Sequence, residues 1–600
     1  MSAVYLQILA TQGYLAVDLL SKLPVSGCRY LALTCTLAVL LPLDTAPAMA
    51  AATSPTPAPP ATVTVTPRVL VPRPQGDDRA ARLPQAERLA PPPGAGDLEL
   101  TLGDVRVEGG FDPVAGRMRA QLRALAGHPL RLREVYAAAA ALEQAYAAAG
   151  YFLVRVSVPP QELAPGATLR LVVTDGFFED IDLTGVPAAA RDAVAASVMG
   201  LRGKGRLRSS AVERALLLAG DVPGLSLRSA LERGANPGGT RLLLAGEFRA
   251  ANASLGLRND YDAALGTLGA SAEVSLNSPF GGGELVYGYV ASGRDLGRLI
   301  DGSGRVRVLG GGALLRLARG ALTVNPEATF SRTRPDPAPG APATLGRLER
   351  ETLRLGYVAV RRRARTLVLT AALERTDSAN TASFFGIDLS HDRFLAARLG
   401  LNASASGQDG ASATLALRWN QGLGDRGART MRDVAASFTP FSRQGATNDF
   451  SHLDAELGGV LPLTRATALS LHLRAQSAFG QALFRTEQIA LEGGDGLSAY
   501  VGGLTATDSG VVARAELSAR LPSRALGLNP YVFGAAGSGS IARPTGPEPS
   551  KLSAIAFGTG LRAAALGGKL SFASELAFGF SRYRPLDRAT RFNLTLGLSL

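Results

Sequence analysis

Histidines and the acids beside them have the greatest potential for chemistry in this sequence. The four histidines are His128, His391, His452 and His472, and no two of them have the spacing of paired metal ligands. His391-Asp392 and His452 with Asp454 are the pairs that general acid–base catalysis would use. We interpret these histidines as loop residues, because no further catalytic motif accompanies them. The sequence predicts no catalytic residue, no metal site and no enzyme.

Two glycine-rich stretches have some likeness to loops that hold phosphate groups. Gly203-Lys204-Gly205 lacks the upstream glycine and the Ser or Thr of a P-loop. Residues 281–283 are three consecutive glycines, which we interpret as a tight turn between strands. A G-x-S-x-G nucleophile motif does not occur in the sequence. We therefore expect no cofactor.

The first fifty residues have the features of a secretory signal peptide. Arg29 precedes an apolar run over residues 30–43, and Ala48-Met49-Ala50 forms a small-residue cleavage pattern. An N-terminal membrane anchor is the alternative, although the run is short for a bilayer. Cys28 and Cys35 are the only cysteines, so cleavage after residue 50 removes both. The mature chain would then have no disulfide and no thiol chemistry.

The chain is basic, with 63 Lys and Arg against 50 Asp and Glu, a net charge of +13. Loss of residues 1–50 leaves 61 cations and 48 acids, again +13. These cations are scattered singly among apolar residues, whereas a nucleic-acid surface would cluster them. We expect no nucleic-acid partner, and we expect arginines to line a water-filled lumen instead.

Residues 51–97 are rich in Pro, Ala and Thr and predict an extended linker. The prolines disfavour a long helix that could plug a pore. After residue 50 there is no run of about twenty apolar residues, the length that a membrane helix needs. A membrane role would therefore depend on strands.

Residues 98–176 and 177–249 predict two copies of one small α/β unit. In the first, Val135, Leu142 and Tyr146 share one face of a predicted helix that ends at Gly150. One strand is predicted before the two helices and two strands are predicted after them, in the order β-α-α-β-β. The second unit repeats this order, with strands at 179–183, 226–231 and 241–248 and helices at 188–199 and 209–219.

From residue 250 to residue 600, alternation with a period of two replaces the helical spacing. Leu517 and its alternate neighbours are apolar, while Glu516 and Arg520 belong to the opposite face. Small and aliphatic residues on one face and long charged ones on the other, along whole strands, are typical of a barrel with lipid outside and water inside.

The spacing of this alternation predicts sixteen antiparallel strands, an even number as in bacterial outer-membrane barrels. They are placed near 251–260, 267–277, 284–292, 304–316, 320–331, 350–361, 365–375, 393–404, 410–420, 451–462, 467–477, 511–521, 528–537, 553–565, 569–580 and 591–600. Short connections alternate with long ones, and the long ones are predicted at 332–349, 376–392, 421–450, 478–510 and 538–552. The expected fold class is a transmembrane β-barrel preceded by two α/β domains.

The first α/β unit carries a motif that consists of Tyr146, Gly150, Tyr151, Pro160, Gln161 and Gly176. This motif resembles the pattern Y-x-x-x-G-Y, P-x-Q and a terminal glycine in the POTRA domains of two-partner secretion transporters (TpsB, the ShlB/FhaC/HecB-type hemolysin secretion/activation proteins). In the second unit, residues 213–218 and 221–224 resemble the family's helix and turn. The resemblance covers roughly residues 98–600 and is patchy in the barrel part.

The family also has a long loop that folds back into the pore, tipped by V-R-G-[YF] after Gly-Gly. The matching residues are Gly493, Gly494, Leu497, Ser498, Ala499 and Tyr500. The strand motif F-x-D-x-G that faces this loop matches Phe533, Ala535 and Gly537. Ser498 stands at the arginine position and Ala535 at the aspartate position, so both halves of the family's ion pair are missing. An ordinary glycine-rich outer loop is the alternative interpretation.

The resemblance implies an outer-membrane transporter with periplasmic POTRA domains. Such a transporter would recognise an unfolded exported partner, a TpsA-like haemolysin or adhesin exoprotein, and translocate it through the barrel. The other expected partners are outer-membrane lipid and the barrel-assembly machinery that would insert the barrel. Three alternatives stay open: a porin-like channel, which would not need the α/β repeat; a relative acting in outer-membrane protein insertion or lipid handling; and an outer-membrane enzyme built on His391 and His452.

Overall fold

The computed structural model describes residues 96–600 except 112–113, 163, 294–302, 504, 524–525, 547 and 584–585. The predicted signal peptide and nearly all of the predicted linker lie outside the described residues. Within the described part of the chain, no helix has the length and apolar character that a membrane crossing requires.

The first α/β unit packs two helices on a four-stranded sheet. Its elements are β1 (Glu99–Gly109), α1 (Val114–Arg123), β2 (Pro129–Arg131), α2 (Leu132–Ala148), β3 (Arg155–Ser157) and β4 (Ala167–Thr174). The sheet order is β2-β1-β4-β3, with β1 and β4 parallel. Leu102, Leu142 and Leu169 are buried between sheet and helices, because apolar residues recur at helical spacing in α2 and at alternate positions in the strands. The short β2 is an element that the sequence pattern did not predict.

The second α/β unit follows without a gap. Its elements are β5 (Phe177–Gly185), α3 (Ala188–Val198), α4 (Ser209–Gly220), β6 (Leu225–Arg233) and β7 (Gly239–Phe248). The sheet order is β5-β7-β6, with β5 and β7 parallel and β6 antiparallel. Phe178, Leu216 and Leu227 lie in its core.

The rest of the described chain forms a closed antiparallel barrel of sixteen strands, as predicted. The strands after β7 are β8 (Ala251–Arg258), β9 (Gly269–Asn277), β10 (Leu285–Gly293), β11 (Val306–Leu317), β12 (Leu322–Thr333), β13 (Thr344–Arg362), β14 (Arg365–Ala382), β15 (Ile387–Ser406), β16 (Ser412–Gly422), β17 (Ser451–Pro462), β18 (Thr467–Ser477), β19 (Ile489–Ala490), β20 (Ala506–Thr507), β21 (Ser509–Ala519), β22 (Gly527–Ser540), β23 (Lys551–Ala565), β24 (Leu570–Ser581) and β25 (Arg588–Ser599). β19 and β20 pair only with each other among the described strands, and a short helix α5 (Met431–Ser437) follows β16. β25 pairs with β8, which leaves no free barrel edge in the lipid.

Side chains alternate between the lumen and the outside of the barrel. On β21, Arg514 and Glu516 are buried in the lumen, whereas Leu517 points outward with 45% of its surface exposed. The second α/β unit lies against the turns at one end of the barrel, which we call the turn end. The opposite end, the loop end, carries the long connections.

Three neighbouring strands are longer than predicted. β14 and β15 stay paired up to Ala382 opposite Ile387, so the long loop predicted at 376–392 is wrong and a tight turn joins the two strands. β13 likewise begins at Thr344, inside the loop predicted at 332–349. The outward positions Arg375 and Asp377 interrupt the apolar alternation there, but strand pairing needs no apolar outer face once the strand has left the lipid.

Candidate functional site

The connection between β18 and β21 folds into the barrel rather than away from it. Leu491, Leu497, Ala499 and Tyr500 of this segment, which we call the inserted loop, are at most 3% exposed. They pack on lumen-facing wall residues that include Phe533 and Ala554. Gly493 and Gly494 form the turn before this apolar tip, where Gly493 has a φ of 109° that favours glycine.

Ser498, which the sequence resemblance places at the position of the family's arginine, binds an arginine of the wall. The Arg514 guanidinium on β21 donates to Ser498 Oγ at 3.0 Å. The same guanidinium pairs with Glu575 on β24 at 2.5 Å and lies 3.6 Å from the centre of the Phe533 ring. Because Arg514 is only 3% exposed, its charge depends on these partners. The wall therefore supplies the cation that the loop lacks.

Ala535, which the sequence resemblance places at the position of the family's aspartate, lies directly opposite Arg514 in the ladder between β21 and β22. Two residues further along β22, a Cβ atom added to Gly537 would lie 3.0 Å from Leu497 Cδ1. The strand motif thus forms the wall beside the loop tip, with a small residue where the loop comes closest. The loop is therefore anchored through Ser498 and the wall residue Arg514.

Wall residues also hold the loop through its backbone. Asn593 Nδ2 donates to the Ser498 carbonyl at 3.0 Å, and Arg591 donates to the Tyr500 carbonyl at 3.3 Å. The Tyr500 hydroxyl donates to the Leu586 carbonyl at 3.3 Å, and burial raises the pKa of this loop tyrosine to about 12. These bonds fix the tip at several points.

A second anchor lies at the start of the inserted loop and was not predicted from the sequence. Both guanidinium NH groups of Arg398 on β15 donate to the Glu487 carboxylate, each at 2.9 Å. His452 on β17 lies 3.0 Å from the same carboxylate and 2.9 Å from Asp454. Burial alone would raise the pKa of Glu487, but Arg398 and His452 hold this pKa well below its usual range. The charged loop residue is thus fully compensated.

The histidines occupy other positions than predicted. His391 and His452 lie in β15 and β17, so their interpretation as loop residues is wrong. His391 Nε2 lies 2.9 Å from Asp377, which Arg393 also binds, while His452 contacts Glu487. Strand pairing places both histidines in networks of ion pairs. No group of three metal-binding side chains is found in the described part of the molecule.

The lumen beside the inserted loop is lined by charges of both signs. Arg350 and Arg398 approach Glu374 at 3.3 Å and 2.6 Å, and Arg354 lies 3.9 Å from Glu327. The arginines expected to line a wet lumen are present, and these three are paired with carboxylates.

The second α/β unit is tied to the turn end of the barrel. Arg361 on β13 binds the Asp221 carboxylate with two hydrogen bonds of 2.9 Å and 2.8 Å, and both side chains are only 6% exposed. Arg316 of β11 donates to the Leu218 carbonyl at 2.6 Å. Arg214 of α4 donates to the Val358 carbonyl at 2.6 Å.

Apolar and small residues complete this contact. Leu218 packs with Ala321 and Val358 of the barrel. At the turn of three glycines, a Cβ atom on Gly283 would lie 2.7 Å from the Ala193 side chain. The two surfaces are therefore in close contact.

The predicted motif residues of the first unit pack within the unit or against the next one. Tyr146 is fully buried, Gly150 ends α2 with a φ of 94°, and the Gly150 carbonyl accepts a hydrogen bond from Ser209 of the second unit at 2.7 Å. Tyr151 stacks edge-on against Phe111. Three further motif residues follow. Pro160 precedes Gln161, whose side-chain amide forms hydrogen bonds with the backbone N–H and C=O groups of Arg170. At Gly176 there is no room for a side chain, because a Cβ atom would lie 2.1 Å from the Leu153 carbonyl oxygen.

Comparisons with known proteins agree with this geometry. A family profile described as "Haemolysin secretion/activation protein ShlB/FhaC/HecB" matches residues 247–563, and one described as "POTRA domain, ShlB-type" matches residues 100–176. No curated protein matches the sequence.

Solved structures with the same fold include CdiB from Escherichia coli, with a TM-score of 0.66, 18% identity and coverage of 87% of this chain and 95% of that one. CdiB from Acinetobacter baumannii has a TM-score of 0.59, 14% identity and coverage of 87% and 93%. The family match covers more than half of the chain and includes most of the barrel. This chain belongs to the haemolysin secretion/activation family of two-partner secretion transporters, an outer-membrane barrel whose POTRA region lies in the periplasm.

Proposed function

We propose that this chain exports an unfolded haemolysin- or adhesin-like exoprotein, captured by its POTRA domains and passed through the barrel. The observation that carries the proposal is the combination of two small sheets beside the turn end of the barrel with a lumen that contains the inserted loop. The sheets end in β2 and β3 in the first unit and in β5 and β6 in the second. Edge strands can accept an extended client segment as an added strand.

The ion pair between Asp221 and Arg361 supports a direct transfer from capture to pore. A POTRA domain that is fixed to the barrel holds a bound client segment at the pore mouth. Entry of this segment into the pore then costs less entropy than a second encounter in free solution. The client then threads through the lumen in an unfolded state. Progressive folding outside the cell supplies direction, because the periplasm offers no nucleotide.

The inserted loop must move aside during transport. Leu497 and Tyr500 fill space next to the wall, and a polypeptide cannot pass through side chains that are packed at interior density. The hydrogen bonds at Ser498 and Glu487 close the idle pore, and displacement of the loop opens it.

The test is secretion of the partner, which we expect to be encoded by a neighbouring gene as a large exported repeat protein. Cells with the full chain should release this protein into the medium, and deletion of residues 98–248 should abolish release. The mobility shift of the barrel on heating serves as the control for folding. A folded deletion variant that continues to secrete would refute capture by the POTRA domains.

Barrel insertion is the other candidate within the same architecture. If the deletion variant secretes normally while other outer-membrane proteins fail to assemble, the chain acts in insertion and the secretion proposal is wrong.

A further inference from the structure

Three arginines stand side by side on neighbouring strands of the barrel. Arg307 of β11 is directly opposite Arg332 of β12, and Arg332 is directly opposite Arg347 of β13. Arg334 follows two residues after Arg332 and adds its own repulsion to that of the other two. We call Arg307, Arg332 and Arg347 the arginine row.

The arginine row faces the outside of the barrel. Residues on either side of each arginine point into the lumen, as shown by the burial of Val306 and Val308 around Arg307. Phe330, on the same face as Arg332, is 47% exposed, as expected for a side chain that meets lipid.

The row is not neutralised by the protein. Among the described residues, none of the three arginines forms an ion pair or a side-chain hydrogen bond, and the buried Nε atoms of Arg307 and Arg332 have no partner. Glu349, on the same face as Arg347, makes no ion pair with the row within the described contacts.

Other outward arginines nearby do have acidic partners. Arg375 binds Glu351 at 3.2 Å, Arg393 binds Asp377 at 2.6 Å, and Arg305 binds Asp336 at 2.7 Å. Like charges directly opposite each other destabilise a strand pair. An external anion bound to all three arginines would relieve this repulsion.

The height of the row in the membrane indicates which anion this is. Arg332 lies ten residues beyond Leu322 at the periplasmic turn, about 33 Å along the strand and about 25 Å above the turn for a tilt of about 40°. The apolar band of such barrels is about 25 Å tall, so the row lies at the outer head-group level, directly above lipid-facing Phe330.

We propose that Arg307, Arg332 and Arg347 bind the phosphate groups of a phosphorylated glycolipid in the outer leaflet. Guanidinium groups bind phosphate through paired, charge-assisted hydrogen bonds. The site is continuous with the lipid-facing surface, so its ligand is a membrane lipid and not a soluble phosphate.

The test titrates bis-phosphorylated lipid A into the purified full chain in neutral detergent. Thermal unfolding is followed by the mobility shift of the folded barrel. Lipid A should raise the unfolding temperature of the wild type. Each arginine-to-glutamine change should increase the half-saturating lipid concentration about fivefold, since one cation near a charged membrane surface contributes about 1 kcal/mol. The variant R307Q/R332Q/R347Q should therefore bind about a hundredfold more weakly.

The variant R588Q is the matched control. Arg588 is an exposed outward arginine at the extracellular end of β25, opposite Phe580 and outside the row. R588Q should respond to lipid A like the wild type, and dephosphorylated lipid A should stabilise neither. Equal lipid A responses in the wild type and the triple variant, or none in the wild type, would overturn the proposal. Equal stabilisation by inorganic phosphate would overturn the assignment to a lipid.

Discussion

Removal of the Ser498 hydroxyl should loosen the inserted loop while the wall stays intact. The S498A variant deletes one hydrogen bond from a buried guanidinium, because Arg514 donates to Ser498 Oγ at 3.0 Å. A hydrogen bond to a charged group contributes about 1.5–3 kcal/mol. The ratio of inserted to displaced loop should therefore fall by about tenfold to a hundredfold. Arg514 keeps Glu575 as its partner, so barrel stability should change little.

Single-channel conductance of the refolded barrel in planar bilayers measures this ratio. Loop displacement opens the lumen, so S498A should show longer or more frequent open events than the wild type. R514Q should open the pore further, because it also leaves Glu575 buried without its cation. Loss of one partner of a buried pair costs about 3–5 kcal/mol.

A double-mutant cycle decides whether Ser498 and Arg514 act together. The open probability of S498A/R514Q should be close to that of R514Q alone, because the hydroxyl has lost its donor. Fully additive effects of the two changes on the inserted-to-displaced ratio would refute the anchor. So would an unchanged open probability in R514Q whose barrel is shown to be folded by its shift on heating.

Further predictions concern the loop, its second anchor, the POTRA contact and the lumen. S498R should displace the loop and increase the conductance, because a second arginine beside buried Arg514 adds like charge. The S498R/A535D variant should reverse this increase, since Ala535 lies opposite Arg514. E487Q should also open the pore, and its effect should add to that of S498A because the two anchors share no side-chain partner. The pKa of Glu487 is held below its usual range, so the second anchor should persist from pH 7 down to pH 5. It should fail only when acidification reaches that lowered pKa. A conductance increase between pH 7 and pH 5 that E487Q abolishes would contradict this. D221N should release the second POTRA domain from the barrel. Hydrogen exchange in residues 209–220 should then be faster, while the unfolding temperature of the barrel stays unchanged. Unchanged exchange would contradict a role for the buried ion pair between Asp221 and Arg361. The expectation that arginines line the lumen predicts that the open channel of the refolded barrel prefers anions, and clear cation selectivity would contradict it.

The sequence alone determined the elements whose residues repeat at short, regular intervals. Successive side chains of each barrel strand alternate between water and lipid, so every strand has its own period-two pattern in the sequence. Sixteen strands could therefore be counted without knowledge of their pairing. Helical spacing from Val135 to Ala149 likewise predicted the helix that packs on the first sheet, which the structure places at Leu132–Ala148. Where the alternation stopped, as at Arg375 and Asp377, the sequence wrongly predicted a loop, because pairing outside the lipid leaves no hydrophobic pattern.

Only the tertiary structure decided how the loop is held and where the POTRA region docks. Ser498 binds an arginine 16 positions away, Glu487 one that is 89 positions away, and Asp221 one that is 140 positions away. An ion pair has no period, so these partners become neighbours only when the barrel closes and the loop enters it. The family resemblance singled out Ser498 in the sequence, but its partner Arg514 could be found only in the fold.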